Sequence, residues 1–137
     1  MTSQDHVTLS ALTGTGVTVK NATDDMRGRK VTDRDGMDVG KVHDVFVDDR
    51  ERKARFLLVE RGGLLGIDEK KSFIPVDVIR RTTSDDVYIN DTRDHVAEAP
   101  GYDPYLVNDR SYQSSIYDHY GCAPYWSASY TYPGFNL

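Results

Sequence analysis

Cysteine is nearly missing: Cys122 is the only one in 137 residues, which rules out an internal disulfide and suits a reducing compartment, with the cytoplasm as the expected location. Long hydrophobic runs are missing too. No stretch approaches the roughly 18 apolar residues of a membrane-spanning helix, and the first twenty residues lack the basic start and apolar block of a secretory signal, so no membrane insertion is expected. Nor is there an excess of positive charge. Seventeen Lys and Arg stand against 22 Asp and Glu, a net charge of −5. Phosphate binding needs clustered cations that release counterions, so direct nucleic-acid binding is not expected. The one dense basic stretch, residues 50–55, also holds Glu51 and follows Asp48-Asp49, and it reads as a solvated turn.

What the chain does have is a series of short β segments. The length supports one domain with extensions. Two apolar runs flank Asp35-Gly36 between Val31 and Val42, and Asp-Gly is a strong hairpin signal. Val45-Phe46-Val47 ends at Asp48-Asp49, Phe56-Leu57-Leu58-Val59 ends at Gly62-Gly63, and Ile74-Pro75 closes a third run because proline cannot donate to a ladder. Residues 78–81 and 87–89 read as a last hairpin, and 91–98 as one or two helical turns stopped by Pro100-Gly101. Val42 has the wrong parity to share a face with Val45 and Val47, which calls for a bulge near His43-Asp44. The Phe56 to Val59 run is apolar on both faces, so a central strand covered on its outer side is expected.

These segments predict an all-β fold: a small six-stranded barrel with a short helical turn, closed to hide its edges. Residues 1–23 form an expected weakly structured arm, in which Leu9 to Leu12 is either a helical turn or a stray strand. Residues 24–104 are the barrel, and 105–137 a Tyr-rich extension. Charge thins out in that extension, while eight of nine tyrosines and the sole tryptophan lie from residue 102 onward. Because the core is small, the extension or a second subunit is expected to cover an apolar wall of the barrel.

Gly28-Arg-Lys-Val31, Asp35-Gly36, Val39-Gly40-Lys41-Val42, Asp44-Val45, the Val59 to Gly66 corner, Ile74-Pro75-Val76 and the segment from Val96 to Pro104 together resemble a PRC-barrel domain over residues 26–104. The likeness is greater to stand-alone bacterial members than to the cytoplasmic domain of the photosynthetic reaction-centre H subunit or the C-terminal domain of the ribosome maturation factor. The chain lacks the membrane helix of the first and the N-terminal barrel of the second. The resemblance implies a six-stranded barrel that acts as a docking or assembly module, with no catalytic residues carried over.

Candidate chemistry is thin. Placing Gly36 at the sixth position of a calcium loop puts Val31 first and Val42 last, so the ligand set fails and turn chemistry explains Asp35 and Gly36. Gly62, Gly63 and Gly66 lack phosphate-loop spacing and read as a tight corner. Gly40 and Pro75 complete the residues assigned to turns. Among His43, His95, His119 and Cys122 only the last two are close in sequence, too few for zinc, and nothing activates the thiol. Asp44 and Glu60 could meet across neighbouring strands as acid and base, but Asp44 better serves the backbone at the bulge. No enzymatic activity, cofactor or metal is therefore expected.

The aromatic tail is the candidate working surface. Tyr and Trp combine an apolar body with a hydrogen-bonding tip and anchor interfaces. Phe56, Leu58, Tyr117, Tyr120, Tyr125, Trp126, Tyr130, Tyr132 and Phe135 are the expected interaction residues, whether the tail wraps its own barrel or exchanges with another subunit. The expected function is a non-catalytic protein-interaction or assembly module that forms a homodimer. The alternatives are a ribosome or RNA-processing assembly factor working through a protein partner, a photosynthetic or membrane-complex accessory protein, and a small-ligand-binding or enzymatic barrel.

Overall fold

Alternating and doubly apolar runs fold into strands where the sequence pattern places them. The structure, a computed structural model, describes residues 8–13, 25–61 and 70–133. Strands β1 (Leu9–Ala11), β2 (Lys30–Thr32), β3 (Asp38–Asp48), β4 (Ala54–Arg61), β5 (Lys70–Pro75), β6 (Ile79–Thr82) and β7 (Asp86–Ile89) precede helices α1 (Arg93–Glu98) and α2 (Arg110–Tyr120). One curled sheet runs β5-β4-β3-β2-β7-β6, with β1 added to β3. Neighbours pair antiparallel except β2 and β7, which are parallel. The sheet thus has seven strands where six were expected, because Leu9–Ala11 is a strand; its Leu9, like Leu12 just beyond, is buried. It is also a half-closed barrel. β5 and β6 lie at opposite ends of the strand order and are joined by a single 3-10 turn, Val76–Val78, that follows Pro75.

The hairpin at β2 and β3 is organised by Asp33 more than by Asp35. Its carboxylate accepts the backbone N–H groups of Asp35 and Met37, both at 2.8 Å, and that of Arg93 at 2.8 Å, so one side chain ties the turn to the start of α1. Gly36 supplies the left-handed conformation at φ 84°. Gly40 lies inside β3, not in a turn: at φ 146° a Cβ there would stand 2.1 Å from the Glu60 carbonyl oxygen, so only glycine lets β3 approach β4.

Two bulges bend the β3–β4 pair. The register slips between Val42 and Asp44, where His43 is the extra residue, and Asp44 accepts the Val45 N–H at 2.9 Å and the Thr13 N–H at 3.1 Å. The second slip, between Phe46 and Val47, leaves Arg55 as the extra residue on β4. Asp44 therefore sits opposite Leu58 and Glu60 opposite Lys41, so the acid pair considered from the sequence does not form.

β4 is buried on both faces. On the inward face its Leu57 and Val59, with the Leu57 partners Val45 on β3 and Ile74 on β5, have 0% exposure. On the outer face Phe56 stacks on Phe73 at 4.3 Å, and Phe73 meets Phe46 edge-on at 5.2 Å. That outer aromatic layer needs a cover.

Candidate interaction site

The cover is a helix that tail composition alone does not suggest. Asp109 caps α2 by accepting the Tyr112 N–H at 3.0 Å, and Gly121 ends it in the left-handed conformation at φ 69°. Between these caps Tyr112, Gln113, Ile116, Tyr117 and Tyr120 recur at helical spacing and are the buried face. Tyr117 packs 5.1 Å from the Phe56 ring and Tyr112 6.0 Å from Phe73. The Tyr112 hydroxyl donates to the Gly101 carbonyl at 2.8 Å, which fixes the chain entering the tail.

Beyond α2 the chain crosses the barrel wall as a strap, residues 123–133, centred on Arg55. The bulge turns this side chain out of the inward register, so it is 2% exposed and not part of a solvated turn. Its Nε donates to Asp48 at 2.6 Å and its Nη2 to Glu51 at 2.5 Å. Over the guanidinium lie the rings of Tyr125 at 4.6 Å, Tyr132 at 5.5 Å and Tyr130 at 5.7 Å. The Tyr130 hydroxyl donates to both oxygens of Asp77 at 2.9 Å. Burial pushes the Asp77 carboxyl up to about 6, against the opposing pull of Tyr130 and Arg55. Trp126 lies over Arg110 at 4.0 Å and meets Tyr117 edge-on at 5.8 Å.

The expected interaction residues divide by depth. Phe56, Leu58, Tyr117 and Tyr120 are buried against the chain's own barrel, whereas Tyr125, Trp126, Tyr130 and Tyr132 are half-buried with one side outward. Phe135, Gly62, Gly63 and Gly66 lie outside the described residues. Tyr105, 94% exposed, and Leu106 are not among those interaction residues; a Tyr-Leu pair in a turn carries no periodic signal. They sit in the turn before Arg110, the residue that carries Trp126.

The histidines gather in an unforeseen way. His95 and His119 stack at 4.0 Å, the His119 Nε2 bonds the His95 carbonyl at 2.6 Å, and the His95 Nδ1 bonds Asp91 at 2.8 Å. They join α1 to α2 beside an open cleft of about 610 Å³ lined by Arg34, Asp91, Asp94, His95, Glu98 and Tyr120, among others. Burial pushes the Cys122 thiol up to about 11, which keeps it protonated at neutral pH. His43 instead bonds Glu60 at 2.9 Å. Among the described residues no group of three or more His, Cys, Asp and Glu is arranged to hold a metal ion.

A model of the PRC-barrel domain matches residues 20–96, more than half of the chain. The chain belongs to the PRC-barrel family. No curated protein matches it. The match ends inside α1, so the PRC-barrel supplies the sheet and the hairpins, while α2 and the strap lie beyond the matched segment. Among the described residues no helix is long and apolar enough to cross a membrane.

Proposed function

We propose that this PRC-barrel protein is a non-catalytic interaction module in the cytoplasm that associates with a second copy of itself and holds partner proteins in an assembly. The buried carboxylates support a structural role for the polar groups: Asp33, Asp44 and Asp48 each accept backbone N–H groups of their own turns, and Asp48 also pairs with Arg55. All three are used where the chain bends. PRC-barrel domains are protein-interaction modules, which agrees with a wall-based function.

The observation that carries the reading is the exposed aromatic edge. Tyr105 and Leu106 are exposed in the turn before α2, and Tyr125, Trp126 and Tyr132 are partly exposed on the strap, with Trp126 over Arg110 of α2. Exposed and partly exposed tyrosine and tryptophan are the residue types enriched at interfaces, which supports this reading. Sedimentation of the full chain at tens of micromolar should give a dimer. The Tyr105→Glu/Leu106→Glu variant should run as a monomer that still unfolds cooperatively, with a midpoint that no longer depends on protein concentration. A wild-type monomer across that concentration range would remove self-association from the account.

A further inference from the structure

The open cleft beside α1, at the opposite end of α2 from Tyr105 and Leu106, carries charges that the fold itself does not use. Asp91 is spent: it accepts the Thr92 N–H at 2.7 Å and bonds the His95 Nδ1 at 2.8 Å. Asp94 and Glu98 are not. Both are exposed and stand four residues apart on α1, where like charges repel, and neither carboxylate has a hydrogen bond or ion pair among the described residues. Arg34 brings a guanidinium to the same lining, and among the described residues only its backbone N–H is engaged, by the Asp91 carbonyl at 3.0 Å. Three carboxylates and one guanidinium thus line the cleft, beside the end of α2 whose last carbonyls add partial negative charge. A second observation points the same way. Tyr120, the last residue of α2, lines this cleft and is 9% exposed, and its buried hydroxyl has no hydrogen-bond partner among the described residues. Burial, and after it the Asp91 carboxylate, push that hydroxyl up, so it stays protonated. A hydroxyl can accept an N–H as well as donate its own hydrogen, and leaving it unpaired costs stability.

We infer that this cleft receives a basic side chain of a partner protein, a guanidinium or ammonium held between Asp94 and Glu98, with the Tyr120 hydroxyl accepting one of its N–H groups. The inference rests on the reading of the protein as a module that holds partner proteins, and it gives that partner a chemistry. A metal ion does not suit the site, because among the described residues no three His, Cys, Asp or Glu groups are arranged to hold one. An organic cation does. The Cβ atoms of a helical i, i+4 pair stand about 5–6 Å apart, a span that the several N–H groups of a guanidinium bridge. Arg34 offers donors for a carbonyl or carboxylate next to that basic side chain, which a peptide carries and a simple amine does not.

Titration of the isotope-labelled full chain at low salt, followed by amide chemical shifts, tests it with two probes: a blocked glycine-arginine-glycine peptide and its citrulline counterpart, which has nearly the same shape without the charge. The arginine peptide should shift the amides of residues 91–98 saturably, and the citrulline peptide should bind at least about tenfold more weakly. Asp94→Asn/Glu98→Gln changes two exposed positions and should weaken arginine binding by a similar factor. Tyr120→Phe should weaken it several-fold; if that variant does not fold, the carboxylate pair decides the matter alone. Absence of a response in residues 91–98, equal binding of the two peptides, or wild-type affinity in either folded variant would overturn the inference. Sedimentation keeps this apart from self-association. A dimer that does not respond to the arginine peptide removes the cleft alone, whereas a monomer that does respond removes self-association and leaves the cleft standing.

Discussion

The barrel and its tail differ in how fully their buried polar groups are paired. In the barrel each buried carboxylate has its backbone donors: three N–H groups converge on Asp33, and two each on Asp44 and Asp48. In the tail the buried hydroxyls of Tyr117, Tyr120 and Tyr125 have no hydrogen-bond partner among the described residues, and three rings share one guanidinium. Directional bonds fix a turn to a single geometry. Ring area and cation–π attraction constrain direction less, so the strap is held with less directional specificity than the turns of the barrel.

Substitutions can break or sharpen that contrast. The largest effect is expected where the halves meet. Arg55→Ala leaves Asp48 buried without its cation and removes the seat of three tyrosines, and should cost about 3–5 kcal/mol in urea unfolding, with looser exchange in both halves. A loss confined to the strap would mean that Arg55 belongs to the tail alone. Asp33→Asn tests the directional rule inside the barrel. Burial works against the Asp33 charge, yet its three backbone donors outweigh it and hold the carboxyl below its ordinary range. Its contribution is therefore present above the unfolded value of 3.8 and is lost as pH falls through the folded one. The variant should lose roughly 2 kcal/mol at pH 7, and the difference from wild type should shrink as pH falls below 3.8 in denaturant melts. Tyr117→Phe should have the smallest effect: removing a buried, unpartnered hydroxyl leaves stability unchanged or raises it by about 1 kcal/mol, measured as the unfolding midpoint. A loss above about 1 kcal/mol would show that the hydroxyl has a partner in solution and that the tail is more directional than its geometry suggests.

The same contrast explains what could be read in the sequence. Strand alternation survives in a short chain segment, so the hairpin before Val39, the bulge at His43-Asp44, the covered strand at Phe56 to Val59 and the end at Pro75 were all legible from side-chain period and turn chemistry. β1 was not, because three residues carry no period and its burial depends on a strand that lies far along the chain. Arg55 was misread because a bulge, not composition, decides where that side chain points. The signal for α2 is present in the sequence, with Asp109 and Gly121 at the caps and Tyr112, Ile116, Tyr117 and Tyr120 at helical spacing, but tyrosine is a weak helix former and masks that period. The His95–His119 stack depends on two helices meeting, which spacing along the chain does not report.

The central claim is that the segment after residue 104 is the outer wall of the barrel in its own chain. Without it Phe56 and Phe73 lose their cover, a loss of roughly 3–6 kcal/mol at about 1.5–3 kcal/mol per side chain, a large share of the stability of a small domain. Urea unfolding of the full chain and of a chain ending after Pro104, with the mass of each in solution, tests this most directly. The account predicts a cooperative transition for the full chain and an unfolded or aggregated shortened one; a shortened chain that is monomeric and as stable as the full one would contradict it.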